Sequence, residues 1–164
     1  MESAYFAGGC FWCVTPVFAE HPGVIAVTSG YCGGQEADPT YEQVKKQKTG
    51  HRETMWVEYD PARVSYRELL ALYLDSVDPF DPDGQFVDRG YSYTLAVYCR
   101  TEEEFSLTRE ALARLEAESG KTVYVSVEAF QRFYTAEEEH QDYYRKHPEE
   151  FRQELIQSGR ITLN

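Results

Sequence analysis

No apolar run in this chain approaches the roughly 20 residues that a membrane-spanning helix needs, so a membrane-spanning role is not expected. The N-terminus, MESAYFAGGC, has no basic segment leading into an apolar one. No secretory leader is read there, and a cytoplasmic protein is expected. Positive charge is scarce: 16 Lys and Arg face 28 Asp and Glu, for a net charge of −12. Nucleic-acid binders carry a basic face, so that partner is not expected either. Repeats, low-complexity tracts and long linkers are missing too, which leaves one domain over residues 1–164 as the expectation. There are only four cysteines, Cys10, Cys13, Cys32 and Cys99, with one C-x-x-C pair and none after Cys99. In a reducing compartment such thiols are catalytic, metal-binding or buried rather than structural bridges.

With 42% hydrophobic residues the chain can build a core. Strands are expected at Ser3–Ala7, Val24–Tyr31, Arg52–Tyr59, Tyr93–Cys99 and Val123–Val127, from alternation and β-branched content. Helices are expected at Phe11–Glu20, Tyr66–Val77 and Glu102–Ser119, the last ended by Gly120. A further one or two, broken at Pro148, are expected over Ala136–Ser158. Capping boxes are read at Thr40/Gln43, Ser65/Glu68, Thr101/Glu104 and Thr135/Glu138. Asp78–Gly90, rich in Pro, Gly and acids, reads as a long loop of the kind that carries function. Mixed order without strict alternation points to an α+β two-layer sandwich, a mixed sheet with helices packed on it.

The stretch Gly8-Gly9-Cys10-Phe11-Trp12-Cys13 follows a strand and opens a helix. Unpaired N–H groups and the helix dipole favour a thiolate there, which is the reacting form of cysteine. Phe11 and Trp12 offer an apolar wall to a small substrate group. A buried, inert Cys10 with core aromatics is the competing reading. Glu53 shares a strand face with Met55, Val57 and Tyr59, while Arg52, Thr54 and Glu58 take the other. Desolvation raises the pKa of such a carboxyl and makes it a proton donor near neutral pH. The alternative places Glu53 at a frayed strand end, open to water.

GCFWC at Gly9–Cys13, SGYCGG at Ser29–Gly34, DPTYEQV at Asp38–Val44 and GHRE at Gly50–Glu53 occur in order. GQFVDRG at Gly84–Gly90 and HQDYY at His140–Tyr144 follow. This set resembles the A-type peptide methionine sulfoxide reductases over roughly residues 4–147. The resemblance implies a sandwich related to the ferredoxin-like fold and reduction of methionine S-sulfoxide, free or in proteins. It implies Cys10 as nucleophile, Phe11 and Trp12 around the S-methyl group, and Glu53 as the acid at the sulfoxide oxygen. Hydroxyls of Tyr31 and Tyr93 assist Glu53, and Asp88 orients substrate and water. After Asp88 the chain departs from the common D-x-G-x-Q-Y-R-S run: Ser92, Thr94 and Leu95 replace Gln, Arg and Ser, while Tyr93 keeps its place. These changes bear on the mouth of the pocket.

Sulfoxide reduction leaves Cys10 as a sulfenic acid, which a second thiol converts to a disulfide that an external reductant of the thioredoxin or glutaredoxin kind recycles. No metal or organic cofactor is required. Cys13, one helical turn from Cys10, lies within disulfide reach and is the expected resolving thiol. Cys32 is the alternative, or a relay, although its side chain should point away from that of Tyr31. Two rivals remain: a zinc module built from Cys10, Cys13 and Cys32 with His51 or His21, and a general dithiol oxidoreductase using Cys10 and Cys13. His140, Tyr143, Tyr144 and His147 fall at helical spacing and read as one packed face. Glu102–Glu104 reads as charge that complements a helix dipole.

Overall fold

The computed structural model describes residues 1–157. In order the chain forms β1 (Glu2–Gly8), α1 (Phe11–Ala19), β2 (Val24–Cys32), α2 (Tyr41–Lys45), β3 (Arg52–Tyr59) and α3 (Tyr66–Ser76). A small hairpin of β4 (Gly84–Gln85) and β5 (Asp88–Arg89) precedes β6 (Leu95–Cys99), α4 (Glu102–Ser119), β7 (Val125–Ala129) and β8 (Phe133–Thr135). Last come α5 (Tyr143–Lys146) and α6 (Pro148–Gln157).

The main sheet has the order β7-β6-β1-β3-β2-β8. All its neighbours are antiparallel except β6 and β7, which α4 joins by a crossover. Its middle four strands with α1 and α3 follow the β-α-β-β-α-β order of ferredoxin-like folds. The fold is therefore α+β with a mixed sheet and helices packed on it, as expected.

Alternation along the strands divides the buried residues between two faces. Phe6, Tyr31, Met55, Val57, Leu95 and Val97 join Phe11, Phe18, Leu69 and Tyr73 from the helices in the main core. Burying each such apolar side chain contributes about 1.5–3 kcal/mol. The opposite face carries a smaller cluster of Tyr5, Ala7, Cys32, Ala96 and Tyr98, partly covered by Phe130 and Phe133. In the β2–β3 register Tyr31 faces Glu53 and Cys32 faces Arg52. Each pair of consecutive residues thus divides between the two sides of the sheet.

Local signals hold where no distant partner competes. Thr40 and Ser65 make reciprocal capping boxes. Thr101 accepts from the Glu104 N–H at 3.1 Å, but the Glu104 carboxylate turns to the Arg100 N–H. Gly120 ends α4 in the left-handed conformation, φ 70°. Four expectations need correction. Thr135 ends β8, whose pairing with β2 overrides the cap signal, and the residues after it form only a 3₁₀ turn, Glu138–His140. The expected helix from Ala136 is consequently replaced by α5 and α6, with Pro148 opening α6; its expected last residue, Ser158, lies outside the described residues. Tyr93 belongs to a 3₁₀ turn, Tyr91–Tyr93, so that strand begins at Leu95. The strand expected from Val123 begins at Val125, since the Tyr124 N–H is bonded to Pro79 O.

Candidate active site

Gly9, at φ 84°, makes the turn from β1 into α1, a conformation in which a Cβ is unfavourable. Cys10 then occupies the N-cap of α1, where most helices place Ser, Thr, Asp or Asn, and its side chain caps nothing. The vacant role is filled from the sheet: the Phe11 N–H donates to Glu53 Oε1 at 3.2 Å. Glu53 and the start of α1 are thereby fixed to each other across 42 residues of sequence.

Glu53 is 1% exposed, which dismisses the frayed-end alternative. Burial pushes its carboxyl up to about 8, against the opposing Phe11 N–H bond, and the nearby Asp88 pushes it further the same way. Tyr93 lies near enough to favour the charged form, yet Oε2 is buried without a hydrogen-bond partner. A protonated Oε2 is thus a donor with nothing to donate to.

The Cys10 thiol is hydrogen-bonded with Cys13, and this bond, then burial, then the neighbouring Cys13, Glu53 and Asp88 raise it well above the ordinary range. The thiolate expected at a helix start is therefore not the resting form; the bond with Cys13 and burial outweigh the dipole. The Cys13 N–H to Cys10 O bond of 3.1 Å closes the turn that holds the pair together.

Beside them opens a cavity of about 260 Å³, lined by Cys10, Trp12, Cys13, Tyr41, Asp88 and Tyr93 together with Lys45, Val87, Glu154 and Gln157. Its wall is an aromatic stack. Trp12 lies 4.2 Å from Tyr143 and 5.5 Å from His140 between ring centroids, and His140 lies 4.1 Å from Tyr41. Phe11 packs behind them, 6.0 Å from Tyr31. The single helical face read over His140–His147 does not form: His140 ends a 3₁₀ turn and Tyr143 opens α5 after Asp142 at φ 52°, yet both rings pack on Trp12.

Tyr31 requires a correction. It is fully buried beside Glu53, but its hydroxyl donates to Glu137 Oε1 at 2.9 Å and is thereby engaged away from the carboxyl. The hydroxyl that stands with Tyr93 is that of Tyr41, which is hydrogen-bonded to it and close to Glu53 and Cys10. Burial raises both phenols above their ordinary range, so both remain donors. Tyr41 went unnoticed because its backbone sits in a loop-flanked short helix, although DPTYEQV contained it.

Cys32 also needs correcting as a relay. Its thiol lies on the opposite sheet face, donates to Arg132 O at 3.2 Å, and burial pushes it up to about 12. Cys99 is core, against Tyr66 and Thr108. The zinc constellation does not assemble: His51 accepts the Gly34 N–H on Nδ1 and meets Glu36 O with Nε2, while His21 accepts the Gly23 N–H. Glu137, Glu139 and His140 approach one another within 4.8 Å. Both Glu137 oxygens, however, already accept bonds from the Tyr31 hydroxyl and the Tyr41 N–H.

A family model described as peptide methionine sulfoxide reductase matches residues 2–163. The peptide methionine sulfoxide reductase MsrA of Halalkalibacterium halodurans is 44% identical over 163 residues, 98% of this chain and 92% of that protein. Methionine sulfoxide reductase A of Corynebacterium diphtheriae superposes with a TM-score of 0.81 at 28% identity, over 90% of this chain and 75% of that one. Mxr1 of Saccharomyces cerevisiae, solved in complex with Trx2, shares the fold, with a TM-score of 0.58 at 14% identity over 87% of this chain and 84% of that one.

Proposed function

The chain belongs to the peptide methionine sulfoxide reductases, and from that premise we propose that it reduces methionine S-sulfoxide, free or in proteins, with Cys10 as nucleophile and Glu53 as acid. The observation that carries the reading is Glu53 Oε2, buried without a hydrogen-bond partner on a carboxyl that burial pushes up to about 8, next to Cys13, Asp88 and Tyr93 of the cavity wall. A sulfoxide oxygen is a strong acceptor and leaves sulfur readily only when protonated.

In this reading the S-methyl group rests against Trp12 and the aromatic stack, and Asp88 orients the substrate. The oxygen accepts from Glu53, Tyr41 and Tyr93. Sγ of Cys10 bonds to the substrate sulfur as Glu53 delivers its proton to oxygen; the thiol proton returns to Glu53. Collapse breaks the S–O bond and the new Sγ–S bond as the hydroxyl passes to Sγ, which releases methionine and leaves Cys10 as sulfenic acid, so sulfur is reduced on one partner and oxidised on the other. Cys13 then displaces water to form the Cys10–Cys13 disulfide, which a dithiol of the thioredoxin or glutaredoxin class reduces. No metal or organic cofactor enters these steps. Residues 1–164 act as one catalytic domain. Among the described residues no helix is long and apolar enough to cross a membrane.

The test is turnover of the separate S and R epimers of methionine sulfoxide with dithiothreitol as reductant. Reduction of the S epimer alone is expected. Insulin reduction without sulfoxide reduction would make the chain a general dithiol oxidoreductase.

A further inference from the structure

The turn Tyr91–Tyr93 carries a site hydroxyl but belongs to neither sheet. Two side chains grip it from opposite sides. Gln47, which follows α2, accepts the Ser92 N–H at 2.9 Å and donates from Nε2 to Ser92 Oγ at 2.8 Å. On the other side Arg52 Nε donates to Thr94 Oγ1 at 2.8 Å, and that hydroxyl donates onward to Tyr91 O at 2.6 Å, bridging the turn. The guanidinium also lies 4.5 Å over the Tyr91 ring. Its far end is anchored on the sheet, where Nη1 donates to the Tyr98 hydroxyl at 3.1 Å on β6 and pairs with the Glu128 carboxylate on β7.

Arg52 is 6% exposed. A charge so far from water is weak support for stability, since buried ion pairs are often replaced by apolar groups with no loss. What this one does is connect three strands to a turn. Ser92 and Thr94, two of the positions where the chain departs from the common family pattern, are the two points gripped.

We propose that Arg52 and Thr94 form a positioning clamp that fixes, from the sheet face opposite Glu53, the turn presenting Tyr93 to the Glu53 carboxyl. Arg52 and Glu53 are consecutive residues of β3, so one strand sets the position of the acid on one face and of the nearby Tyr93 hydroxyl through the other. Gln47 ties the same turn to the end of the helix that begins with Tyr41. The clamp thereby deepens the sulfoxide reductase reading and rests on it for its kinetic consequences.

Thr94→Val keeps the shape and removes both hydroxyl bonds; Thr94→Ser keeps them. Expected is a fall of about tenfold in the single-turnover rate of S-sulfoxide reduction, the scale of a sub-ångström misplacement, with KM little changed and recovery in Thr94→Ser. In a Tyr93→Phe background Thr94→Val should add nothing, because both act through one hydroxyl. Losses that multiply in the double variant, or a lowered melting temperature with an unchanged rate, would overturn the clamp. A substrate-independent readout separates this from failure of the functional reading. The Tyr93 and Thr94 N–H groups are bonded to Gly90 O and Tyr91 O at 3.0 Å. Their hydrogen exchange should quicken in Thr94→Val and in Arg52→Lys, and unchanged exchange in both overturns the proposal even if the wild type reduces no sulfoxide.

Discussion

Glu53→Gln should slow the reaction by orders of magnitude and, at alkaline pH, make the protein more stable. The carboxyl titrates at about 8 in the fold against an ordinary 4.5. At about 1.4 kcal/mol per pH unit this displacement is a penalty of about 5 kcal/mol on the ionised folded state. The folded protein holds its proton where the unfolded chain has released it, so stability falls as pH rises from about 4.5 and levels off above 8. Glutamine keeps the size and can still accept the Phe11 N–H, but carries no such dependence. The gap between variant and wild type should therefore widen by about 4 kcal/mol from pH 5 to pH 9, read by urea denaturation at several pH values. In kinetics the wild type should lose kcat/KM above pH 8, as Glu53 gives up its proton. The variant should be slower by about 10²–10⁴-fold, the scale of general acid catalysis, and lack that limb. Parallel stability curves for the two proteins, or a single-turnover rate within a few-fold of wild type, would refute the argument that Glu53 is a neutral acid.

Cys10→Ser should abolish methionine formation in a folded protein, and substantial residual turnover would falsify its assignment as nucleophile. Oxidation with one equivalent of methionine sulfoxide, followed by thiol blocking and peptide mapping, should yield a Cys10–Cys13 disulfide. Cys13→Ser should perform one turnover and stall without an added thiol; a Cys10–Cys32 bridge with normal recycling would reverse that choice. Tyr41→Phe should slow the chemical step by about 10–10²-fold through loss of a donor to the developing oxyanion. Tyr31→Phe, which removes only the bond to Glu137, should leave the chemical step within a few-fold of wild type; equal losses in the two variants would contradict the distinction between them.

Residue order alone determined the elements whose signals are local. Period-2 alternation in Arg52–Tyr59 places Glu53 on the core side and Arg52 opposite, because successive side chains in a strand have no other option. Gly9 before Cys10 marks a turn, and a cysteine three residues on marks a pair within reach, since helical geometry is the same wherever it occurs. The motif set identified the family before any coordinate was needed. What depended on distant partners was not legible. A capping signal at Thr135 lost to pairing of β8 with β2, because sheet bonds satisfy more backbone groups than one hydroxyl. Tyr31 and Tyr41 look alike in sequence, and only the position of Glu137, about a hundred residues away, takes the first hydroxyl and leaves the second to the site. A helix start promised a thiolate at Cys10, but the tertiary structure bonds its thiol to Cys13 and buries it beside Glu53 and Asp88, and together these hold it well above its ordinary range. The protonation of the site is thus a property of the assembled environment, which arises only when β1, β3 and the turn at Tyr93 meet.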